Sequence, residues 1–226
     1  MRYIILLHGF GSNTMLMQPI ERYLNIYHSS YIVLNNHFNS LFSTIPNIIQ
    51  SLYKKLIKQL VEPSEIIFIG HSLGGIIALE LSELFHFSNC KIECITLGTP
   101  YKGAYLANFF TQKLPFLPKI SPILKNLSRQ GNFTPSITNI PHHIVIGERR
   151  LNYKNPISWV TFIILRRYDS HDGVVELEKK DFDHIHNKQL YYVDIDHIDM
   201  IFNVTIFNLI SSILQNNVEH NIKTDI

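Results

Sequence analysis

The stretch that decides the fold is IIFIGHSLGGIIALEL, at residues 66–81. Its first four residues are apolar and are typical of a buried strand, and the residues after Gly75 have the composition of a helix. Between them stands the pattern Gly-x-Ser-x-Gly, with Gly70, Ser72 and Gly74 at its fixed positions. In a strand-to-helix turn this pattern is typical of a nucleophile elbow, because only small residues fit around so sharp a turn. The stretch therefore predicts Ser72 as a nucleophile.

The rest of the chain alternates short apolar runs with amphipathic segments. We predict strands at 3–7, 31–34, 66–69, 92–97, 143–146 and 190–193, and helices at 15–27, 45–60, 75–85 and 200–214. Phe202 lies on the inward face of the last helix. Such alternation is typical of a parallel sheet covered by helices on both faces. With no linker or internal repeat, residues 1–226 are predicted to form a single α/β domain with a polar tail over 215–226.

Two apolar segments interrupt the alternation. Residues 101–141 contain several prolines among leucines and isoleucines, and a long irregular insertion of this kind is predicted to be lid-like. Residues 151–167 carry the only tryptophan, Trp159, and fit a packed helix and the wall of an acyl-binding cleft equally well. The apolar stretches 114–124 and 157–165 also indicate peripheral membrane contact.

Composition excludes several functions. The net charge is +2 and no cluster of Lys or Arg is present, so nucleic acid is not an expected partner. No apolar run has the length of a signal peptide or a membrane span, and a cytoplasmic protein is expected. His184 and His186 could pair on a metal but have no third ligand at a suitable spacing, so no metal and no cofactor are predicted.

A serine nucleophile needs a base that takes its proton. In a sheet of this kind the base follows the last strand, and His197 stands there, directly before the closing helix. The imidazole pKa near neutral pH suits the role. The competing histidines are His171, His184 and His186.

The acid that orients the base is expected in the loop after the preceding strand. Asp172 fits this position, because Gly173 allows a tight turn beside it. Asp169 is the nearest alternative. Asp194 and Asp196 are too close to His197 along the chain to face it from the usual side.

Acyl transfer also needs hydrogen-bond donors for the oxyanion. The backbone N–H of Leu73, directly after the nucleophile, is one predicted donor. The loop after the first strand, His8-Gly9-Phe10-Gly11, supplies the other through the Phe10 N–H. His8 is predicted to hold this loop in place.

The oxyanion loop, the elbow, Asp172 and His197 follow one another along the chain. In this order they resemble the motifs of the α/β-hydrolase superfamily, and within it those of the small lipase- and esterase-like members. The segment from Leu97 to Pro100 also looks like one that lipase-like relatives carry. The resemblance implies Ser72 as nucleophile, Asp172 as acid and His197 as base. Because the first strand leads directly into the oxyanion loop, it implies a reduced α/β-hydrolase fold of about six mostly parallel strands.

The expected activity is hydrolysis of a carboxylic ester with an apolar acyl group, in a small molecule or a lipid. A thioesterase or an acyltransferase would use the same residues. A non-catalytic binding module on the same fold is the alternative from another class.

Overall fold

A computed structural model describes residues 1–85, 87–114, 116–128, 140–152, 161, 164–165, 171–175, 182 and 185–224, with side chains of the last helix described to Gln215. Within these residues the strands are β1 (Arg2–Leu7), β2 (Ile32–Asn36), β3 (Glu65–His71), β4 (Lys91–Leu97), β5 (His142–Gly147) and β6 (Lys188–Val193). They form one sheet in the order β2-β1-β3-β4-β5-β6. Every neighbouring pair is parallel. The predicted parallel sheet is confirmed.

The described helices cover both faces of this sheet. They are α1 (Thr14–Tyr27), α2 (Ile45–Gln59), α3 (Leu73–Leu84), α4 (Tyr105–Lys113), α5 (Leu117–Ile120), α6 (Ile123–Leu127) and α7 (Val204–Thr224). The side chains of β1 alternate between two apolar clusters, with Ile5 packed among residues of α2 and α3 and Ile4 among residues of α1 and α7. This burial on both faces explains why β1 is a continuous apolar run from Tyr3 to Leu7.

The closing helix differs from the prediction at both ends. It begins at Val204 and continues to Thr224, whereas the apolar spacing predicted a start at Met200 and an end at Leu214. Asn203 Oδ1 accepts a hydrogen bond from Thr205 N–H at 2.9 Å and caps the new helix. No Gly or Pro interrupts the polar residues that follow Leu214, so the helical backbone can continue through them.

Within the predicted insertion the structure describes residues 101–114, 116–128 and 140–141, and the first two of these stretches contain the three short helices α4, α5 and α6. Ile123 and Leu127 are buried in the core cluster of α2 and α3, so this part is packed against the domain. Phe116, the residue directly before α5, is 53% exposed. Most of 151–167, including Trp159, lies outside the described residues, and so does 129–139.

The register of the sheet brings its functional loops together. Leu7 at the end of β1 is paired with Gly70 in β3, His71 with Leu97, and Gly147 with Val193. Because the strands are parallel and end together, the loops that follow them meet at one edge. In open α/β sheets this carboxyl edge is where ligands bind.

Candidate active site

Ser72 occupies the turn between β3 and α3 in a strained backbone conformation. Its φ and ψ are 55° and −122°, a combination that costs a non-glycine residue about 1–3 kcal/mol. Its N–H donates to the Leu97 carbonyl at 2.9 Å, and its carbonyl accepts from the Gly75 N–H at 3.0 Å. These bonds fix the turn from both sides, and the half-buried serine lines a cavity at the edge of the sheet.

The motif glycines are required by close backbone packing. A Cβ on Gly70 would lie 2.3 Å from the Gly74 carbonyl oxygen, and a Cβ on Gly74 would lie 2.2 Å from the Leu7 carbonyl oxygen. No side chain can be accommodated at such distances. The elbow therefore packs directly on β1, which brings Ser72 beside the loop that follows β1.

The structure brings Asp172 and His197 into direct contact. Asp172 Oδ2 accepts a hydrogen bond from His197 Nδ1 at 2.7 Å, while Oδ1 accepts from the backbone N–H of Val174 at 3.1 Å and of Val175 at 2.8 Å. Asp172 is fully buried and His197 is 5% exposed. Since the carboxylate accepts the Nδ1 proton, the lone pair of the neutral imidazole lies on Nε2, as a base requires.

Gly98, the residue after β4, packs against this pair. Its φ is +56°, and a Cβ there would lie 2.8 Å from both Asp172 Oδ2 and His197 Nδ1. Its backbone N–H donates to the Val145 carbonyl at 3.0 Å. The end of β4 is thus held where it confines the carboxylate and the imidazole.

The alternative histidines in the described part of the chain do not line the cavity at Ser72. His171 is buried and its Nδ1 accepts from the Gly173 N–H at 3.1 Å. His186 is exposed. Neither lines the cavity at Ser72. His184 lies outside the described residues.

The alternative aspartates have other contacts. Asp194 forms an ion pair with Arg149 at 3.1 Å. Asp196 Oδ1 accepts from the backbone N–H of Ile198 at 2.9 Å and of Asp199 at 3.1 Å, and so closes the turn that contains His197. Asp169 lies outside the described residues.

His8 holds the loop after β1. It is fully buried, and its Nδ1 donates to the Gly9 carbonyl at 2.9 Å while its Nε2 accepts from the Phe38 N–H at 3.3 Å. Burial lowers the pKa of His8, and this favours the neutral ring that both hydrogen bonds require. Because the C=O and N–H of a trans peptide point in opposite directions, the bond to Gly9 turns the Phe10 N–H away from His8.

The two predicted oxyanion donors are free to bind a ligand. Neither the Phe10 N–H nor the Leu73 N–H donates to another described residue. Leu73 is the first residue of α3, where the helix dipole favours negative charge. A Cβ on Gly9 would lie 3.3 Å from Ser72 Cβ, so the loop of Phe10 lies against the serine.

A cavity of about 750 Å³ opens at Ser72 and is also lined by His197. In this structure Ser72 Oγ makes no hydrogen bond to His197 or to another described residue. Such bonds are often long in ligand-free sites and tighten when substrate binds. Most of the other lining residues are apolar, among them Phe10, Met15, Leu16, Val174, Ile198, Ile201 and Phe202.

A family model covers the elbow together with the strands β2, β3 and β4. The model for the PGAP1-like alpha/beta domain matches residues 20–139, which is more than half of the 226 residues. The chain belongs to the PGAP1-like alpha/beta domain family. No curated protein sequence matches this PGAP1-like chain.

Solved structures similar to the PGAP1-like chain confirm its resemblance to lipases and esterases of the α/β-hydrolase fold. Mature Bacillus licheniformis lipase BlEst2 is 16% identical with a TM-score of 0.72, over 94% of this chain and 91% of the lipase. MGS-MChE2, an alpha/beta hydrolase enzyme from lagoon-sediment metagenome of Mar Chica, Morocco, is 15% identical with a TM-score of 0.60, over 96% and 91%. The type II thioesterase BorB of the borrelidin biosynthetic cluster is 14% identical with a TM-score of 0.59, over 93% and 90%.

The cavity walls of the PGAP1-like chain differ from the sequence prediction. Phe202 was predicted to face inward, but it is 52% exposed and lines the cavity. The described lining residues come from the segment after β1, from the elbow, from Val174 and from the segment that begins at His197, and none comes from 101–128. The apolar spacing misplaced Phe202 because the capping contact of Asn203 starts the helix later than the spacing alone indicates.

Two further observations concern the described part of the PGAP1-like chain. No described helix is both long enough and apolar enough to cross a lipid bilayer. No group of three or more described His, Cys, Asp or Glu side chains is arranged to hold a metal ion.

Proposed function

We propose that the protein is a serine hydrolase that cleaves a carboxylic ester through a Ser72–His197–Asp172 triad. The observation that carries the proposal is the buried 2.7 Å contact between His197 Nδ1 and Asp172 Oδ2, in a histidine that lines the same cavity as Ser72. A serine on a strained elbow and an imidazole oriented by a carboxylate together supply a nucleophile and its base.

The chemistry proposed is acyl transfer in two steps. His197 Nε2 takes the Ser72 hydroxyl proton as Oγ attacks the ester carbonyl. The N–H groups of Phe10 and Leu73 stabilise the oxyanion. His197 then gives the proton to the leaving alcohol. Water, activated by the same imidazole, releases the acid from the acyl-enzyme.

The lining of the cavity supports an apolar acyl group as the part of the substrate that is bound. Apart from its two histidines, His71 and His197, the described lining contains no ionisable side chain. Burying a charged group among such residues would be unfavourable. The burial of each methylene of an alkyl chain, by contrast, makes the free energy of binding more favourable. We therefore expect activity to increase with acyl length until the chain fills the cavity.

Covalent labelling with a fluorophosphonate, read by intact mass, tests the proposal. We expect one adduct on the wild-type protein and none on Ser72→Ala. Ser12 lines the same cavity and offers a matched control, since Ser12→Ala should keep the adduct. A folded wild-type protein that stays unlabelled with and without detergent would favour the non-catalytic binding module.

A panel of substrates then separates the reactions that the triad could perform. Alkyl esters of increasing acyl length and the matching acyl thioesters are compared by kcat/KM, with and without an alcohol acceptor. Faster turnover of esters supports the proposed ester hydrolase. Faster turnover of thioesters, or transfer to the acceptor in place of hydrolysis, would assign the site to the alternative reaction.

A further inference from the structure

His71, the residue directly before Ser72, contacts the parts of the site that must be aligned for catalysis. Its Nε2 lies 2.9 Å from the His197 carbonyl oxygen, and the centres of the two imidazole rings are 4.6 Å apart. On the other side, a Cβ on Gly9 would lie 3.2 Å from His71 Nδ1. The ring therefore lies between the loop of the base and the oxyanion loop.

The contacts of His71 fix the positions of its protons. A carbonyl oxygen can only accept, so Nε2 carries the hydrogen that binds His197. Nδ1 is buried and has no hydrogen-bond partner among the residues that the structure describes. Burial, with a further contribution from His197, lowers the pKa of His71 to about 3. His71 is thus a neutral donor of one hydrogen bond at the pH where an ester hydrolase of this kind works.

That hydrogen bond completes the fixation of the His197 backbone. The His197 N–H donates to the Asp172 carbonyl at 2.8 Å, and its side chain is held by the Asp172 carboxylate. His71 binds the remaining polar backbone atom, the carbonyl oxygen. The orientation of the imidazole toward Ser72 then depends on two neighbours, Asp172 from one side and His71 from the other.

We propose that His71 is a positioning residue that keeps His197 aligned with Ser72 by donating its Nε2–H to the His197 carbonyl. The inference rests on the proposed function, because alignment matters to turnover only where His197 is the base. A neutral ring suits the task, since a permanent cation 4.6 Å from His197 would oppose the imidazolium that forms during catalysis.

Three substitutions of His71 distinguish the effect of losing the hydrogen bond from the effect of losing the ring that fills the space. The amide nitrogen of His71→Gln reaches the position of Nε2 and can donate to His197. The shorter amide of His71→Asn reaches only the position of Nδ1, and His71→Leu fills the space without a donor. We expect His71→Gln to keep most of the wild-type kcat. His71→Asn and His71→Leu should lower kcat by about a hundredfold, because misplacement of a catalytic group by about 1 Å has an effect of this size. KM should change little.

Two further readouts distinguish positioning from a general loss of structure. The rate of fluorophosphonate labelling should fall in parallel with kcat. The downfield proton resonance of the His197–Asp172 hydrogen bond should be retained in His71→Gln and shifted in His71→Asn. If His71→Leu does not fold, the comparison of Asn with Gln still decides, since both variants keep a polar side chain.

These experiments distinguish a failure of the role proposed for His71 from a failure of the proposed function. A labelled wild-type protein with equal kcat in the Gln and Asn variants would overturn the role of His71 and leave the serine hydrolase intact. Loss of kcat in both variants, in proportion to loss of folded protein, would overturn it too. A folded wild-type protein that is never labelled would refute the proposed function and, with it, this inference.

Discussion

The carboxylate of Asp172 is surrounded by hydrogen-bond donors. His197 Nδ1 contacts one oxygen, and the backbone N–H groups of Val174 and Val175 contact the other. In Asp172→Asn, an amide NH₂ must face either His197 Nδ1 or the two backbone donors, so the imidazole takes the wrong tautomer or loses its orientation. We expect kcat and the labelling rate to fall by about 10³- to 10⁴-fold, measured by ester hydrolysis and intact mass.

Asp194→Asn is the control for this substitution. Asp194 is also close to His197 along the chain, but its side chain is 81% exposed and pairs with Arg149. The kcat of the Asp194→Asn variant should equal that of the wild type. Equal losses in the Asp172 and Asp194 variants would contradict the role given to Asp172.

The sequence was most informative at residues whose identity is limited by sterics or chemistry. The Gly-x-Ser-x-Gly pattern located the elbow at Ser72, because no other residue types fit a turn packed this tightly on β1. The pairing of Asp172 with His197 could be predicted only as an order along the chain, since the contact depends on a loop between distant strands. The role of His71 was not predictable, because the hydrogen bond that reveals it spans 126 residues.

At the level of elements, periodicity located the strands and helices but not all of their ends. These two strands were recognisable because β1 and β3 are buried on both faces and have continuous apolar cores, Tyr3–Leu7 and Ile66–Ile69. The start of α7 was missed because a single side-chain contact, from Asn203 to Thr205, determines it. Periodicity reports which face is buried, whereas a cap is a local hydrogen bond.

The end of β4 provides a prediction at the same scale. Gly98→Ala would place a Cβ 2.8 Å from both Asp172 Oδ2 and His197 Nδ1. Neither the buried carboxylate nor the imidazole can move without weakening their contact. We expect kcat to fall by about 10- to 100-fold and the free energy of unfolding to fall as well, measured by ester hydrolysis and urea denaturation.

Gly11→Ala measures the part of this destabilisation that comes from backbone conformation alone. Gly11 has a φ of +66°, similar to the +56° of Gly98, but the nearest atom to its Cβ would be Leu41 Cδ2 at 4.0 Å. Both variants place an alanine in the left-handed region. If Gly98→Ala were no less stable than Gly11→Ala and kept its kcat, the proposal that the end of β4 confines Asp172 and His197 would be refuted.

For the whole molecule, the alternation of elements predicted a parallel sheet with two covered faces, and the structure has one. The order of the strands across the sheet could not be read from the alternation, because it depends on which crossovers pack together. That order places β3 between β1 and β4. The elbow is consequently flanked by the predicted oxyanion loop on one side and by Gly98 on the other.

Several histidines of the folded molecule are buried in neutral form, and this makes its stability depend on pH. Burial lowers the pKa of His71 to about 3 and also lowers the pKa values of His8 and His143. In the unfolded chain the same side chains titrate near a pKa of 6.5. As the pH falls below about 6.5 the unfolded state takes up protons that the folded state does not, so the free energy of unfolding must fall.

The contribution of His71 to this loss spans the interval from about pH 6.5 down to about pH 3. One such group changes the free energy of unfolding by about 1.4 kcal/mol per pH unit. We expect His71→Gln, which has no proton to gain, to show a shallower decline than the wild type in urea denaturation at pH 7, 6, 5 and 4. Above pH 7 the slopes of the two proteins should coincide, because the histidines are then neutral in both states. Identical slopes at every pH would mean that His71 is protonated as readily in the folded protein as in the unfolded chain, and would contradict its burial as a neutral donor.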